Sequence, residues 1–402
     1  MTQILGALGS ATRADLDPHG SIRDGEVALD WWIGSDDGWH VPAEDRTTRQ
    51  RRSGAAPVFE TAVRVPNGDA LQRAYAVATP GGPGAVVVDV ENASRAPFSV
   101  AFVAAFAQRS TVTLHDTVLA VDGRPRMVLS RPPRLWTGGR HVRDDVCSGA
   151  LRPGAPATWS APSQVALLVP APHQTLVRAA LVREDVDLAR LADPVAVAQG
   201  WERQLDRGLR TELPESWQLQ IDAQRADLLL ARPSWAAFAA LEDWGFDAEA
   251  AEMWGHLGFR ARRRARQRPQ RRGSRAATPR AASAGPAGFL LSMRQRLVRE
   301  HGREIELLAG YDPEWLGHPL AVHDLPLRAG RLSYALRWHG ARPALLWDAP
   351  TGVTLRAPAL DASWSAPGGT GETLLAEPPT PLLAMGTVRR DGERVDDPDS
   401  FR

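Results

Sequence analysis

Between residues 25 and 182 the hydrophobic positions follow the two-residue period of half-buried β-strands. The runs "GAVVVDVEN" (84–92) and "FSVAFVAAF" (98–106) are apolar and rich in β-branched residues, and the polar link "ASRAP" separates them. Asp122-Gly123 interrupts a third run (111–130) and is a strong hairpin signal. A further strand–turn–strand pattern covers 164–182. Short strands at regular spacing predict an antiparallel β-sandwich over residues 1–192.

The period changes to a helical one at Asp193-Pro194. Asp is favoured at a helix N-cap and Pro in the first turn. Val197, Trp201 and Leu205 then recur at four-residue steps and form one apolar stripe. Further helical segments are expected around 217–229, at 235–244, at 248–257 and at 289–300. Residues 193–300 are therefore predicted to form short αα-hairpins in series.

The strand pattern returns from residue 303 in the runs "EIELLAG", "RLSYALRWHG", "PALLWDA" and "VTLRAP". These runs predict a small C-terminal β domain over residues 301–385, and the Pro-, Gly- and Asp-rich residues 386–402 predict a loose tail. The expected fold class is α+β and multidomain, with an N-terminal antiparallel β-sandwich, a short αα-hairpin segment and a C-terminal β domain. The length of 402 residues agrees with two or three domains.

Residues 260–280 are the most basic segment, with ten arginines in 21 positions. Together with the Ala/Pro/Gly-rich stretch that follows, they are predicted to form a linker over 260–287. The net charge of the whole chain is only +1, so the protein is not a polycation. The run has no interleaved aromatic residues for stacking on bases. A solvated helical face is favoured over nucleic-acid binding, although a basic interaction module at 260–280 is kept as an alternative.

The cysteine content and the hydropathy of the chain limit the cellular locations that are expected. Cys147 is the only cysteine, which excludes an internal disulfide and a thiolate metal cluster. The N-terminus lacks the features of a signal peptide, and no stretch approaches the roughly 18 apolar residues of a membrane span. A cytoplasmic location without membrane contact is expected. The histidines show no metal-binding spacing, and the sequence implies no cofactor. No metal site is predicted, although a site built from carbonyl and carboxylate ligands would leave no sequence signature.

Two segments resemble those of a known family. Residues 200–230, "GWERQLDRGLRTELPESWQLQIDAQRADLLL", and residues 304–340, "EIELLAGYDPEWLGHPLAVHDLPLRAGRLSYALRWHG", are similar to parts of the six-hairpin glycosidases, bacterial sugar-cleaving enzymes with an α/α toroid. The chain also resembles compact actinobacterial glycosidase-like proteins. The resemblance implies that 200–230 leads from the sandwich into the toroid and that 304–340 leads out of it through a short "HDLP…G" link.

The helical segment is too short for the complete toroid. Twelve helices with their connections need on the order of 190 residues, whereas residues 194–302 provide 109. The resemblance therefore implies a truncated relative with an incomplete toroid. Most of the family's catalytic carboxylates lie in the portion that this chain lacks.

The segment "WWIGSDDGWH" (31–40) has the most unusual composition. Indole faces stack on pyranose rings and carboxylates accept hydroxyl hydrogens, so this composition suits a sugar site. The candidate ligand-binding residues are Trp31, Trp32, Asp36, Asp37 and Trp39. The alternative interpretation, favoured about three to one, is that the tryptophans anchor the sandwich core and "GSDDG" is a tight turn.

Catalytic candidates are fewer. Glycoside hydrolysis needs two carboxyl groups about 5–9.5 Å apart on either side of the scissile bond. Glu242 and Asp243 form the best acidic pair of the helical segment, but neighbouring helical residues point about 100° apart. Solvated acids at a helix C-terminus are the favoured interpretation. The expected function is that of a carbohydrate-associated protein that binds a glycan, a protein partner or a second copy of itself with little or no hydrolysis; an active glycoside hydrolase is the alternative.

Overall fold

The computed structural model describes residues 2–106, 111–154, 157–160, 164–258 and 285–378. The chain divides into two compact units, residues 1–202 and residues 203–402. The arginine-rich run at 260–280 and the tail expected at 386–402 lie outside the described residues. None of the helices in the described part of the chain is long and apolar enough to span a bilayer.

The first unit is built from two nine-stranded sheets in which all neighbouring strands are antiparallel. Its strands are β1 (Gln3–Gly6), β2 (Arg13–Leu16), β3 (Ile22–Arg23), β4 (Val27–Ser35), β5 (Gly38–His40), β6 (Arg49–Arg52), β7 (Phe59–Val65), β8 (Gly68–Val77), β9 (Ala85–Asn92), β10 (Phe98–Phe106), β11 (Thr111–His115), β12 (Val118–Val121), β13 (Arg124–Leu129), β14 (Leu135–Gly139), β15 (Arg152–Pro153), β16 (Ala157–Ser160), β17 (Gln164–Ala171) and β18 (Leu176–Leu181). The first sheet has the order β1-β2-β3-β4-β10-β17-β14-β15, with β5 paired to β4. The second sheet has the order β16-β11-β12-β13-β18-β9-β8-β7-β6.

The predicted β-sandwich is confirmed, because one core cluster joins side chains of both sheets. On β4 the alternate residues Leu29, Trp31 and Ile33 belong to this core, as a strand period of two requires. The hairpin expected at Asp122-Gly123 connects β12 and β13. Both residues have positive φ, 49° and 76°, which is the backbone of a type I′ turn.

Trp32, which lies between two core residues of β4, faces the other side of the first sheet. It packs there with Val103 of β10 and with Val142 and Val146 of the helix α1 (Val142–Ser148). The first sheet is thus covered on both faces at β4. This explains why the segment "VALDWWI" (27–33) reads as nearly continuous hydrophobic sequence.

Five further helices are described after the sandwich: α2 (Pro194–Leu205), α3 (Glu215–Leu229), α4 (Trp235–Asp243), α5 (Asp247–His256) and α6 (Gly285–Leu297). The start predicted for α2 is confirmed, since the Asp193 carboxylate accepts a hydrogen bond from the Ala196 N–H at 2.7 Å. The prediction for the last helix was four residues late at its start and three late at its end. Residues 298–301 form a strand instead, because they pair with residues 304–307.

The second unit contains one seven-stranded sheet. Its strands are β19 (Arg210–Glu212), β20 (Val298–His301), β21 (Glu304–Leu307), β22 (Leu320–Leu327), β23 (Gly330–His339), β24 (Arg342–Ala357) and β25 (Asp361–Leu374). The order is β19-β22-β23-β24-β21-β20, with β25 paired to β24. Only the β21–β24 pair is parallel; the other pairs are antiparallel. The C-terminal β region is confirmed, and two runs predicted as separate strands form the single strand β24.

The toroid expected from the family resemblance is wrong. The described residues are mostly strand, with six α-helices and several antiparallel sheets. Residues 200–230 contribute β19 to the C-terminal sheet, and residues 304–340 contribute β21, β22 and β23 to the same sheet. The supposed "HDLP…G" link lies largely within β22. The predicted helices are present, but they do not form a ring of hairpins. Instead α3 and α4 pack against α6, and α4 also contacts β22.

Candidate functional site

The first two tryptophans of the segment 31–40 are buried. The Trp31 side chain is 0% exposed, and its Nε1–H donates to the backbone oxygen of His19 at 3.0 Å. Trp32 is also buried, on the opposite face of the sheet. Trp31 thus belongs to the core between the two sheets and Trp32 to the cluster under α1, and a ligand-binding role of these two residues stays a prediction.

Trp39 on β5 is half-buried and packs against the cluster that contains Trp32. Its ring lies over Gly34 of β4, where an added Cβ would come within 2.8 Å of Trp39 Cη2. The absence of a side chain at Gly34 therefore leaves room for the Trp39 ring. Asp36 is exposed in the turn between β4 and β5. A ligand-binding role of Trp39 and Asp36 stays a prediction.

Asp37 belongs to a small polar cluster around His40. The imidazole Nε2 lies 3.0 Å from Asp37 Oδ1, and Nδ1 lies 3.0 Å from Asp45 Oδ2. Partial burial lowers the pKa of His40, but the hydrogen bonds and charges of the two carboxylates outweigh it, so the pKa is raised. Ser35 first, and then His40, lowers the pKa of Asp37 through hydrogen bonds. These hydrogen bonds connect the Asp45 side chain, through His40, to the β4–β5 hairpin.

Sequence reasoning missed Asp30, which directly precedes the tryptophans. Its carboxylate accepts hydrogen bonds from the Trp31 backbone N–H at 2.9 Å and from Trp32 Nε1 at 3.2 Å. Burial raises the pKa of Asp30, and these hydrogen bonds offset only part of the rise. Its burial depends on tertiary packing, which the local sequence pattern does not show.

Glu242 and Asp243 are half-buried in the last turn of α4, where the helix C-terminus was expected. The chain turns directly after them at Gly245, whose φ is +73°. Adjacent positions on one helical turn do not place two carboxyl groups across a sugar from each other.

A second aromatic group lies in the other unit and was not predicted as a site. We call it the aromatic cluster, and it consists of Trp217 on α3, Trp315 and Tyr311. The Trp217 and Trp315 ring centroids are 5.7 Å apart, and those of Tyr311 and Trp315 are 5.8 Å apart, both edge-to-face. Trp315 is fully buried at the centre, whereas Trp217 is half-buried at the surface.

Charged side chains surround the outer member of the aromatic cluster. The Arg296 guanidinium lies 5.5 Å above the Trp217 ring and donates to Asp312 Oδ2 at 3.0 Å. Trp217 Nε1 donates to Glu314 Oε2 at 3.3 Å. Asp312 also caps the short 3₁₀ turn that carries Trp315, because its Oδ1 accepts from the Glu314 N–H. The turn thus holds both carboxylates beside the indole.

The inner members of the aromatic cluster have unusual polar atoms. Tyr311 Oη and Trp315 Nε1 are buried and have no hydrogen-bond partner within the part of the chain that the structure describes. Burial, and then the charge of Asp312, raises the pKa of Tyr311. Its hydroxyl therefore stays protonated at neutral pH. The sequence signal was the "YDPEW" segment (311–315), in which two aromatic residues flank two carboxylates.

No protein-family model matches the chain, and no curated protein matches it. The resemblance to six-hairpin glycosidases thus has no support in these comparisons either. Among the described residues, no group of three or more His, Cys, Asp or Glu side chains is placed to hold a metal ion.

Proposed function

We propose that this protein binds neutral saccharides without cleaving them, at the aromatic cluster of the second unit. The observation that supports the proposal is the half-buried Trp217 indole with Glu314 and the Arg296–Asp312 pair beside it. An aromatic face with a few placed polar groups is the general form of small-ligand sites. The apolar C–H faces of a pyranose suit the indole, and its hydroxyls suit carboxylate and guanidinium groups.

The charge around Trp217 favours neutral sugars over acidic ones. Within the described residues, the carboxylates of Asp312 and Glu314 and the guanidinium of Arg296 lie beside the indole. A uronic acid or a sulfated sugar would add a further negative charge beside them, and like charges close together repel. Neutral hexose oligosaccharides are therefore the ligand class to test.

Binding is proposed without hydrolysis because the predicted catalytic pair does not suit the reaction. Glu242 and Asp243 are neighbours on one helical turn. In the aromatic cluster, Asp312 and Glu314 are engaged with Arg296 and Trp217. A general acid needs a raised carboxyl pKa beside the scissile oxygen. The basic-module alternative rests on residues 260–280, which lie outside the described residues.

The experiment is a calorimetric titration of the full chain with maltotetraose and with cellotetraose, at low and high salt. We expect binding to one of them that is insensitive to salt, because neutral ligands are not screened. Trp217→Ala should abolish it while the protein remains folded. A thermal shift provides the second readout, since ligand at 100 times Kd stabilises by about 2.7 kcal/mol.

Trp364→Ala is the matched control. Trp364 is a half-buried indole of the same unit and also forms an edge-to-face pair, with Trp347 at 5.4 Å. Its loss should leave the affinity unchanged. Loss of binding in Trp364→Ala but not in Trp217→Ala would reject the aromatic cluster as the site. No binding of either sugar by the wild-type protein would overturn the proposed function.

A further inference from the structure

Unpartnered buried polar atoms are the most informative feature of the aromatic cluster. A buried hydroxyl or indole N–H that makes no hydrogen bond has lost its water without compensation, so each such group in a folded protein requires an explanation. Within the described residues, Tyr311 Oη and Trp315 Nε1 are two such atoms. They belong to neighbouring rings whose centroids are 5.8 Å apart.

Other unpartnered atoms of the described residues include His19 Nδ1, Asp69 Oδ1, Gln72 Oε1, Arg225 Nε and Trp347 Nε1. Arg225 Nε belongs to a guanidinium group whose other nitrogens are bonded. Trp347 is a single unpartnered indole, whose edge-to-face neighbour is the half-buried Trp364. Asp69 Oδ1 lies 3.6 Å from Arg64 in an ion pair. In the aromatic cluster, by contrast, two neighbouring rings each have an unpartnered polar atom, and one of these rings, Trp315, also contacts the half-buried Trp217.

The same unit contains a buried tyrosine with its hydrogen bond complete. Tyr334 is almost fully buried, and its hydroxyl donates to the Leu297 backbone oxygen at 3.1 Å. The fold can therefore satisfy a buried phenol of this unit. The Tyr311 hydroxyl has no such partner in the described residues. Asp312, the next residue in the chain, does not supply one, because both of its carboxylate oxygens accept other hydrogen bonds.

We propose that the Tyr311 hydroxyl and the Trp315 Nε1–H are the inner polar groups of the saccharide site, unpaired in the free protein and completed by hydroxyl groups of the bound sugar. This inference rests on the proposed function and deepens it. Both atoms are buried, so the sugar reaches them when the Trp217 indole moves aside. Trp217 is the member of the cluster nearest the solvent, because it is half-exposed, and its hydrogen bond to Glu314 is 3.3 Å long.

The hydrogen-bonding capacity of the Tyr311 hydroxyl and the Trp315 Nε1–H determines which ligands suit the inner part of the site. An indole N–H is only a donor, whereas a phenol both donates and accepts. A sugar hydroxyl has a matching donor and lone pairs, so neutral hydroxyls satisfy both groups. A carboxylate would enter an apolar surrounding whose nearby guanidinium, that of Arg296, already pairs with Asp312. The inner groups thus select hydroxyl-rich neutral ligands.

The test compares Tyr311→Phe with Tyr334→Phe in the full chain, with maltotetraose and cellotetraose as ligands. In the free protein, Tyr311→Phe should leave the Tm unchanged or raise it, because it removes an unpaired buried hydroxyl. It should also weaken binding about 3- to 10-fold, the loss of one neutral hydrogen bond. Tyr334→Phe should lower the Tm and leave the affinity unchanged.

Two outcomes would overturn the inference while the proposed function stands. In the first, Tyr311→Phe lowers the Tm as much as Tyr334→Phe does, which would show that the Tyr311 hydroxyl has a partner in the free protein. In the second, the wild-type protein binds sugar and Trp217→Ala does not, yet Tyr311→Phe binds as tightly as wild type. Failure of the proposed function itself is distinct, because the wild-type protein then binds neither sugar.

Discussion

Two tryptophan-rich regions of this protein look alike in sequence and differ in how their polar atoms are used. In residues 30–40, the Trp31 and Trp32 indoles donate to the His19 backbone oxygen and to the Asp30 carboxylate. In the aromatic cluster, Trp315 Nε1 has no partner in the described part of the chain, and Trp217 makes one long hydrogen bond. The indole hydrogen bonds of the first region are complete, whereas the unpaired buried groups of the second require an explanation, and a bound ligand is the one proposed here.

The largest expected effect separates the two regions by stability. Trp31→Ala should destabilise the protein by about 3–5 kcal/mol, because it empties a large volume in the sandwich core. Trp217→Ala should cost about 1–2 kcal/mol, because that indole is half-exposed. Chemical denaturation of both variants checks the difference. Equal losses would contradict the division into scaffold and site.

A smaller effect is expected where the two strands of the tryptophan-rich hairpin meet. Gly34→Ala should cost about 1–2 kcal/mol, because the new methyl group would lie 2.8 Å from the Trp39 ring and displace it. The measurement is the free energy of unfolding, together with the tryptophan fluorescence. Gly38→Ala is not a suitable control, because Gly38 has a φ of +130°. Gly200→Ala is suitable, because open space at its Cβ and its position within α2 predict no destabilisation. No effect of Gly34→Ala would show that Trp39 is not seated on this glycine.

The smallest effect concerns pH and the His40 cluster. The pKa of His40 is raised in the folded state by Asp37 and Asp45 despite its partial burial. The folded protein therefore holds this proton more tightly than the unfolded chain does. The stabilisation is complete below the unfolded pKa of about 6.5 and is lost as the pH rises through the higher folded value.

His40→Gln should accordingly lower the Tm at pH 5.5 by about 2 °C and have little effect at pH 8.5, since partly exposed ion pairs contribute little. His323→Gln is the control, because that imidazole contacts a single carboxylate, Glu212. Its effect should be smaller at pH 5.5. An equal loss of Tm at both pH values would mean that the charge of His40 does not stabilise its contacts with Asp37 and Asp45.

Local signals in the sequence predicted local structure well. The Asp122-Gly123 hairpin and the capped start of α2 at Asp193 are confirmed, because turn and cap residues act on their immediate neighbours. The end of α6 was misplaced because residues 298–301 are held by pairing with β21. The family resemblance failed for a related reason: similar short segments can be used by different folds when their long-range partners differ.

The candidate site was harder to predict from the sequence. The carboxylates of "YDPEW" and the indole of Trp217 are almost a hundred residues apart in the chain, yet Trp217 Nε1 reaches Glu314. Nothing in the local pattern brings them together. Conversely, "WWIGSDDGWH" concentrates the same residue types within ten positions, where strand alternation places Trp31 and Trp32 on opposite, covered faces of the sheet.

The sequence by itself determined the sandwich, the helical middle and the returning β region, because hydrophobic periodicity expresses which side of each element is buried. The tertiary structure alone decided which polar atoms are satisfied. Hydrogen-bond partners of buried groups come from distant segments, and whether a donor such as Trp315 Nε1 meets an acceptor depends on positions of about an ångström. Periodicity carries no information at that scale, and for this reason the aromatic cluster emerged only from the folded protein.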